Sequence, residues 1–314
     1  MRIFFAGTPE IAVPSLEALQ GEHEIVGVLT NPDSKKGRGR KLSASPVKQA
    51  ALVNNLAVFQ PERLHKEFYK TVEDLKPELL VVVAYGKIFR QSFLDLFPNG
   101  GVNLHPSLLP KYRGPSPIPA AILHEDEETG ITVQKLSRKM DAGDIIIQRP
   151  FKLSGDETTG ELTKTFAIIG AELMVEAVKH IEADIADPIP QDETQATYCH
   201  FIHKEDAKID WRKPAHQIEA MVRAYDPWPG AFTYYHDKKL FIRNSQVYQN
   251  SVDKSDTQIG KVLGIDKDHG ILVQTGEGVL CIQRLQLQSK NAQDYTVFIN
   301  GMHGFAGSRL GGNE

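Results

Sequence analysis

Gly100–Gly114 reads GGVNLHPSLLPKYRG: a short apolar run, Val102–Leu104, interrupted and closed by an asparagine, a histidine and a proline-bounded loop. Arg2–Phe5, Ile25–Thr30 and Leu79–Tyr85 are apolar runs of similar length, and the intervals between them carry segments of helical period at Ile11–Leu19, Pro46–Val53 and Phe68–Leu75. Strand-like runs alternating with amphipathic helices predict βαβ units and a mostly parallel sheet, the α/β class. In such a sheet ligands gather outside the carboxyl ends of the strands, where loops and backbone groups converge. Asn103, His105 and Ser107 lie at that end of the Val102 strand, two residues apart, so extended backbone turns them to the same side.

Outward from this strand, Ser45 and Pro46 mark a helix start, with a capping hydroxyl and a proline at the first helical position. Gly130–Leu136 and Ile145–Phe151 read as two further strands joined by SRKMDAGD, and Gly160–Ile181 as a long amphipathic helix. The character then changes. EADIADPIPQDETQATYCH, Glu182–His200, is acidic and proline-bearing, with neither a helical nor a strand period, which is the composition of an interdomain linker. Past a helix at Pro214–Tyr225, short strand-like pieces recur at Ala231–Tyr235, Lys239–Arg243, Ile259–Gly264, Gly270–Thr275 and Gly278–Leu287, the spacing of a small barrel of the oligonucleotide-binding type. The expected division is a catalytic domain over 1–189, a linker over 190–206 and a small β-barrel domain over 207–314.

With 314 residues and 41% hydrophobic composition the chain can fill two cores. No segment approaches the roughly 18 unbroken apolar residues of a bilayer span, and the start, MRIFFAGTPEIAVPSL, suits a buried strand better than a signal peptide. Two cysteines, Cys199 and Cys281, far apart in sequence, argue against a disulfide framework and point to small buried thiols in a reducing cytoplasm. A net charge of −4 excludes a uniformly basic nucleic-acid binder while leaving room for a local basic patch. AGTPE, Ala6–Glu10, follows the first strand but lacks the second glycine that admits a pyrophosphate, so dinucleotide binding is not expected. Cys199, His200 and His203 in CHFIH have the residue types of a metal site without a fourth ligand cluster, so no metal is expected. Trp211 and Trp228 are read as packing residues.

His105 at a strand end is placed for proton transfer near neutral pH. Asn103 adds an amide N–H able to meet a developing oxyanion. Asp141 and Asp144, in MDAGD on the turn between the next two strands, are candidate carboxylates that would orient His105 and raise its pKa. No Gly-x-Ser-x-Gly elbow is present, which leaves direct transfer to a bound acceptor as the simpler chemistry.

Asn103-x-His105-x-Ser107-Leu108-Leu109-Pro110, Tyr112-Arg113-Gly114 and Asp141-Ala142-Gly143-Asp144, taken together, resemble the folate-dependent formyltransferase family. AGTPE, GRGRKLSASPVK, FQPERL, VVVAYGKI, IDW and DPWPGAF extend the resemblance over nearly the whole chain and narrow it to the branch acting on methionyl initiator tRNA. The resemblance implies a Rossmann-like N-terminal domain and a C-terminal barrel binding tRNA. It also implies transfer of formyl from 10-formyltetrahydrofolate to the amino group of the charged tRNA. The chain is expected to act as a monomer in the cytoplasm, without a metal. By position, Asn103, His105 and Asp141 match the family's catalytic triad and Ser107, Leu108, Leu109 and Pro110 its folate-contacting loop. Asp144 is then a supporting turn residue. Tyr85, Gly86 and Ile88 of VVVAYGKI would offer apolar surface and backbone to the flat pterin. Gln288 and Ser289 stand where the family pattern would place a Gly-Lys pair.

NPDSKKGRGRKLSASPVK carries Lys35, Lys36, Arg38, Arg40, Lys41 and Lys48 around Gly37 and Gly39, with no acid after Asp33. The loop follows the second parallel strand and so opens on the same rim as His105, where a long glycine-bearing loop is more often functional than idle. Lys35, Lys36, Arg38, Arg40 and Lys41, with Arg38 matching the family's loop arginine, are expected to bind the tRNA, the arginines holding acceptor-stem phosphates and wedging at the stem end. The nearest alternative is a sugar-nucleotide N-formyltransferase, which resembles the chain in the same triad but needs no such loop. A glycinamide ribonucleotide formyltransferase would leave the C-terminal hundred residues without a role, and a non-catalytic RNA-binding module would not need the triad.

Overall fold

A computed structural model describes residues 1–36, 41–250 and 258–311. Its contacts divide the chain into two units, Met1–Pro117 with Glu128–Lys152 and Leu162–His200, and Ile118–Glu127 with Leu153–Glu161 and Phe201–Glu314. In the first, β1 (Arg2–Gly7) passes through a 3-10 turn at Glu10–Ala12 into α1 (Val13–Gln20) and β2 (Glu24–Leu29). A short antiparallel pair, β3 (Ser34–Lys36) and β4 (Lys41–Ser43), precedes α2 (Pro46–Val53), whose cap is the Ser45 hydroxyl accepting from the Lys48 N–H at 3.1 Å. β5 (Val58–Phe59), α3 (Lys66–Asp74), β6 (Leu79–Val83) and the single turn α4 (Gln91–Leu94) lead to β7 (Gly101–His105). α5 (Pro117–Leu123), β8 (Glu128–Lys135), β9 (Ile145–Lys152) and α6 (Thr159–Glu182) follow.

The strands form one sheet in the order β5-β2-β1-β6-β7-β8-β9. Pairing from β5 to β7 is parallel and the last two strands are antiparallel, which is the mostly parallel sheet expected. The loops after β1, β2, β6 and β7 therefore leave the same edge. β3, β4, β5 and α4 are too short to show a hydrophobic period. β6 also stops two residues before the apolar run does: Ala84 takes a left-handed backbone (φ 50) and sends Tyr85 inward.

Leu79–Val83 is buried at every position because both faces of an internal parallel strand are covered. Around Phe4 the core is aromatic: its ring lies 6.0–6.4 Å from those of Phe59, Phe68, Phe93 and Phe97. Phe93 stacks on Phe68 at 6.2 Å and on Phe89 at 5.2 Å, and Tyr85 stacks on Phe89 at 5.5 Å.

In the second unit, α7 (Ala215–Ala224) is followed by β10 (Phe232–Tyr235), β11 (Lys238–Val247), β12 (Val262–Asp266), β13 (Gly270–Gln274), β14 (Val279–Leu287), β15 (Gln293–Asp294) and α8 (Tyr295–Asn300). The strands form an antiparallel half-barrel sheet, β10-β11-β14-β13-β12, with β15 on β14 and register shifts along β11·β14 that curve it. Trp211 is core, its indole N–H donating to the Thr233 hydroxyl at 2.9 Å. Trp228 is not: it is 55% exposed after the Asp226-Pro227 peptide. Ser289 adopts φ 66, the left-handed backbone for which a glycine would be suited. Cys281 is buried, its thiol pushed up to about 11 by burial, whereas Cys199 is only half-buried. Among the described residues no helix is long and apolar enough to cross a membrane.

Phe93 is the hub of the first unit's aromatic core. Phe93→Ala is expected to cost about 3–5 kcal/mol, the usual range for a buried aromatic truncated to a cavity. It should lower the urea midpoint with little change in slope; an unchanged midpoint would remove the cluster as a source of stability.

Candidate active site

Asn103 and His105 project from one face of β7 because they are two residues apart in extended backbone. Antiparallel pairing sets Asn103 opposite Gln134 and His105 opposite Thr132, and Thr132 in turn opposite Gln148, so a stripe of polar side chains crosses three strands on that face. The alternate residues Val102 and Leu104 are buried apolar.

The segment between β8 and β9 brings Asp141 onto this stripe. Its Oδ2 accepts the Gly114 N–H at 2.8 Å and lies 3.7 Å from His105 Nδ1, while its Oδ1 accepts from Gln134 Nε2 at 3.1 Å and from Asn103 Nδ2 at 3.5 Å. Asp141 itself has φ 50. Gly143 admits no side chain, since a Cβ there would stand 1.8 Å from the Lys135 carbonyl oxygen. Asp144 has a turn role, its carbonyl accepting from the Lys135 N–H at 2.9 Å.

His105 is 4% exposed, and its Nε2 donates to the Tyr112 carbonyl at 2.8 Å. That bond selects the tautomer and leaves Nδ1, on the Asp141 side, to take up a proton. Burial pushes the imidazole below its ordinary value, outweighing the upward pull of Asp141 and of the Tyr112 carbonyl. The carboxylate therefore does not raise the histidine above its usual range, as its neighbourhood in sequence suggests; the resting ring is neutral because desolvation wins.

Ser107 and Leu109 are buried and Leu108 and Pro110 half-buried. The loop is pinned: the Ser107 hydroxyl donates to Lys111 O at 2.6 Å, Thr132 Oγ1 donates to Ser107 O at 2.7 Å, and Gln148 Nε2 donates to Leu109 O at 2.8 Å. Alongside it, at the end of neighbouring β6, Gly86 (φ 82) has open space where a Cβ would be, and Ile88 is 80% exposed. Tyr85 parts company with them. Its ring is 1% exposed in the aromatic core, its hydroxyl is buried without a partner among the described residues, and burial pushes its pKa to about 12.

Of the basic loop, Lys35 is exposed on β3, and Lys36 and Lys41 are backbone partners across β3 and β4; Arg38 and Arg40 lie outside the described residues. Lys48 is not a loop cation, because its Nζ pairs with Asp33 at 2.8 Å. Among the described residues no group of three or more His, Cys, Asp or Glu could hold a metal ion.

Thr132, Gln134, Gln148 and Gln191 are site residues absent from the sequence expectation. Alternating polar residues in ITVQK were a usable signal for the first two. Gln191 had none, since it lies in the acidic stretch that reads as linker. That stretch is bound to the site: Arg113 N donates to Thr197 O at 2.9 Å, Cys199 N to Arg113 O at 2.8 Å and Tyr112 N to Thr197 Oγ1 at 2.9 Å.

Residues 1–178 match the family model for formyl transferase and residues 201–303 that for the formyl transferase C-terminal domain. A methionyl-tRNA formyltransferase of Treponema denticola is 42% identical, over 97% of this chain and 98% of that protein. Another from Treponema pallidum is 43% identical over 99% of both. In fold, the chain is similar to an N-formyltransferase from Helicobacter canadensis solved with folinic acid and dTDP-3-aminofucose, with TM-score 0.67, 20% identity, and coverage of 90% of this chain and 99% of that one. It is also similar to HypX from Aquifex aeolicus in complex with tetrahydrofolic acid, with TM-score 0.65, 19% identity and coverage of 98% of this chain; it spans 48% of HypX, about half. With both formyl transferase models matched and relatives above 40% identical along nearly the whole length, this chain belongs to the methionyl-tRNA formyltransferase family.

Proposed function

We propose that the chain transfers a formyl group from 10-formyltetrahydrofolate to the α-amino group of methionyl initiator tRNA, acting as a monomer in the cytoplasm, and that Asn103, His105 and Asp141 carry the chemistry. The observation that supports it best is the buried neutral His105, with Nε2 on a backbone carbonyl and Nδ1 3.7 Å from Asp141, beside the Asn103 amide. The expected folate surface suits a flat ring: Gly86 offers bare backbone with open space above it, and Ile88 an exposed apolar side chain, next to the pinned Ser107–Pro110 loop. Bound there, 10-formyltetrahydrofolate would supply the formyl carbon to be attacked.

The residues divide the work as follows. His105 Nδ1 takes the proton lost by the attacking amine, and the Asp141 carboxylate stabilises the imidazolium so formed. Asn103 donates its amide N–H to the oxygen on which negative charge grows; one such donor is worth about 3–4 kcal/mol. His105 then returns the proton to the departing folate nitrogen, and positioned proton transfer contributes roughly 10²–10⁴-fold. Gly114 N–H and Gln134 hold Asp141 in place throughout. The basic loop, Lys35, Lys36, Arg38, Arg40 and Lys41, would meet the acceptor-stem phosphates. Tyr85 would support the pterin floor from beneath, its ring being in the core.

His105→Ala is expected to abolish most transfer of labelled formyl to charged initiator tRNA, by roughly 10²-fold or more, while a folate analogue binds nearly as to wild type. Wild-type turnover in this variant would remove His105 from the mechanism.

Asp141→Asn is expected to lower kcat and to move the acid limb of its pH profile to lower pH. The reaction starts from neutral His105, so the rate rises with pH through the histidine's pKa. Loss of the carboxylate removes an upward influence, and that pKa falls further. A limb displaced upward would contradict this role.

Replacing Arg38, Arg40 and Lys41 together with Ala should weaken use of charged tRNA and flatten its salt dependence by a slope of about 0.7–0.9 for each phosphate no longer neutralised, with folate binding unchanged. Apparent affinities for initiator and elongator tRNA at several salt concentrations measure this. Unchanged affinity, slope and selectivity would favour an aminosugar nucleotide as acceptor.

A further inference from the structure

The acidic stretch that reads as a linker contributes one side chain to the interior of the site. Gln191 Nε2 donates to Gly143 O at 2.7 Å, to Asp141 O at 2.9 Å and to Gln134 Oε1 at 3.2 Å. Its Oε1 accepts from Arg113 Nη2 at 2.8 Å and from Arg113 Nε at 3.0 Å. One carboxamide thus joins two backbone segments far apart in sequence. One is the turn that carries Asp141; the other is the Tyr112–Gly114 loop, whose Tyr112 carbonyl holds His105 Nε2 and whose Gly114 N–H holds the Asp141 carboxylate.

Both segments need such a tie. Asp141 is in left-handed backbone, a conformation that persists only where the surroundings over-determine it, and Gln191 holds its carbonyl. Arg113 is 0% exposed, and its other partners are the Glu193 carboxylate at 3.0 Å and the Tyr198 hydroxyl at 3.3 Å, both residues of the same stretch. A buried guanidinium anchored by the stretch fixes the loop on either side of it.

We infer that Gln191 is a positioning residue for formyl transfer: by tying the Asp141 turn to the Arg113 loop, it sets the placement of the Asp141 carboxylate against His105. The inference rests on the catalytic reading of His105 and Asp141 above. It makes residues 191–199 part of the site rather than a tether between units, and it assigns the carboxamide, which both donates and accepts, as the group required at position 191.

The test is steady-state kinetics of Gln191→Met and Gln191→Glu beside wild type and His105→Ala, with thermal midpoints measured for each. Methionine keeps the length of glutamine and removes its hydrogen bonds. The folded variant is expected to lose kcat by roughly 10- to 100-fold, the scale of an ångström's misplacement, with KM for the folate donor within about 2-fold and the acid limb moved to lower pH, as Asp141 drifts from His105. A merely structural role would reduce the amount of active protein and leave the limb in place. Full kcat in folded Gln191→Met, or a lowered kcat with a fixed limb, would overturn the inference. If that variant does not fold, Gln191→Glu decides: it still accepts from Arg113 but has no N–H for the Asp141 and Gly143 carbonyls, so its kcat should fall, and wild-type kcat would sink the proposal. His105→Ala separates the two readings. Normal turnover there fails the catalytic reading itself, whereas its loss beside an unaffected Gln191→Met fails only the role of Gln191.

Discussion

A carboxylate that is 15% exposed must be satisfied from several directions, and Asp141 is: by the Gly114 N–H, the Gln134 amide and, more distantly, Asn103, with His105 facing it. These partners come from three segments, the loop after β7, β8 and β7 itself, and the carboxylate comes from a fourth, the turn before β9. Holding one carboxylate therefore fixes four pieces of chain. The cost is local. A non-glycine residue is kept in left-handed backbone, and the chain closes so tightly at Gly143 that no Cβ fits.

The sheet makes this possible through its change of direction. Up to β7 the strands are parallel and their loops share an edge; from β7 onward the pairing is antiparallel, and register sets side chains directly opposite one another. Asn103 with Gln134, and His105 with Thr132 and Gln148, are such pairs. Strand alternation keeps this polar face separate from the apolar one, where Leu104 packs so closely on α6 that a Cβ at Gly170 would stand 3.0 Å from it. A one-residue slip would exchange the two faces, so the hydrophobic core enforces the registry on which the chemistry relies.

Desolvation then sets the acid–base character. His105 keeps its proton on Nε2 because a carbonyl takes it there, and burial keeps the ring neutral despite the nearby carboxylate. A neutral base beside a fixed anion is suited to accepting a proton and stabilising the cation that results.

From the amino-acid order alone, the α/β class, the placement of Asn103 and His105 at a strand end and the strand-built C-terminal half were all legible. Hydrophobic period and turn residues are local properties, and strand alternation follows from backbone geometry. The resemblance carried by NLHPSLLP and DAGD supplied Asp141 as the partner of His105. What only the tertiary structure decided is how distant segments satisfy one another. Tyr85, the last apolar residue of a strand-like run, turns into the aromatic core because Ala84 bends the chain. Lys48, counted among the loop cations by its neighbours in sequence, pairs with Asp33 instead. Gln191 lies 50 residues from Asp141 and 78 from Arg113 yet bonds both. A hydrogen bond between such positions leaves no period or composition in the chain, because its partners are chosen by where the sheet brings the backbone, and that is set by the packing of the whole unit.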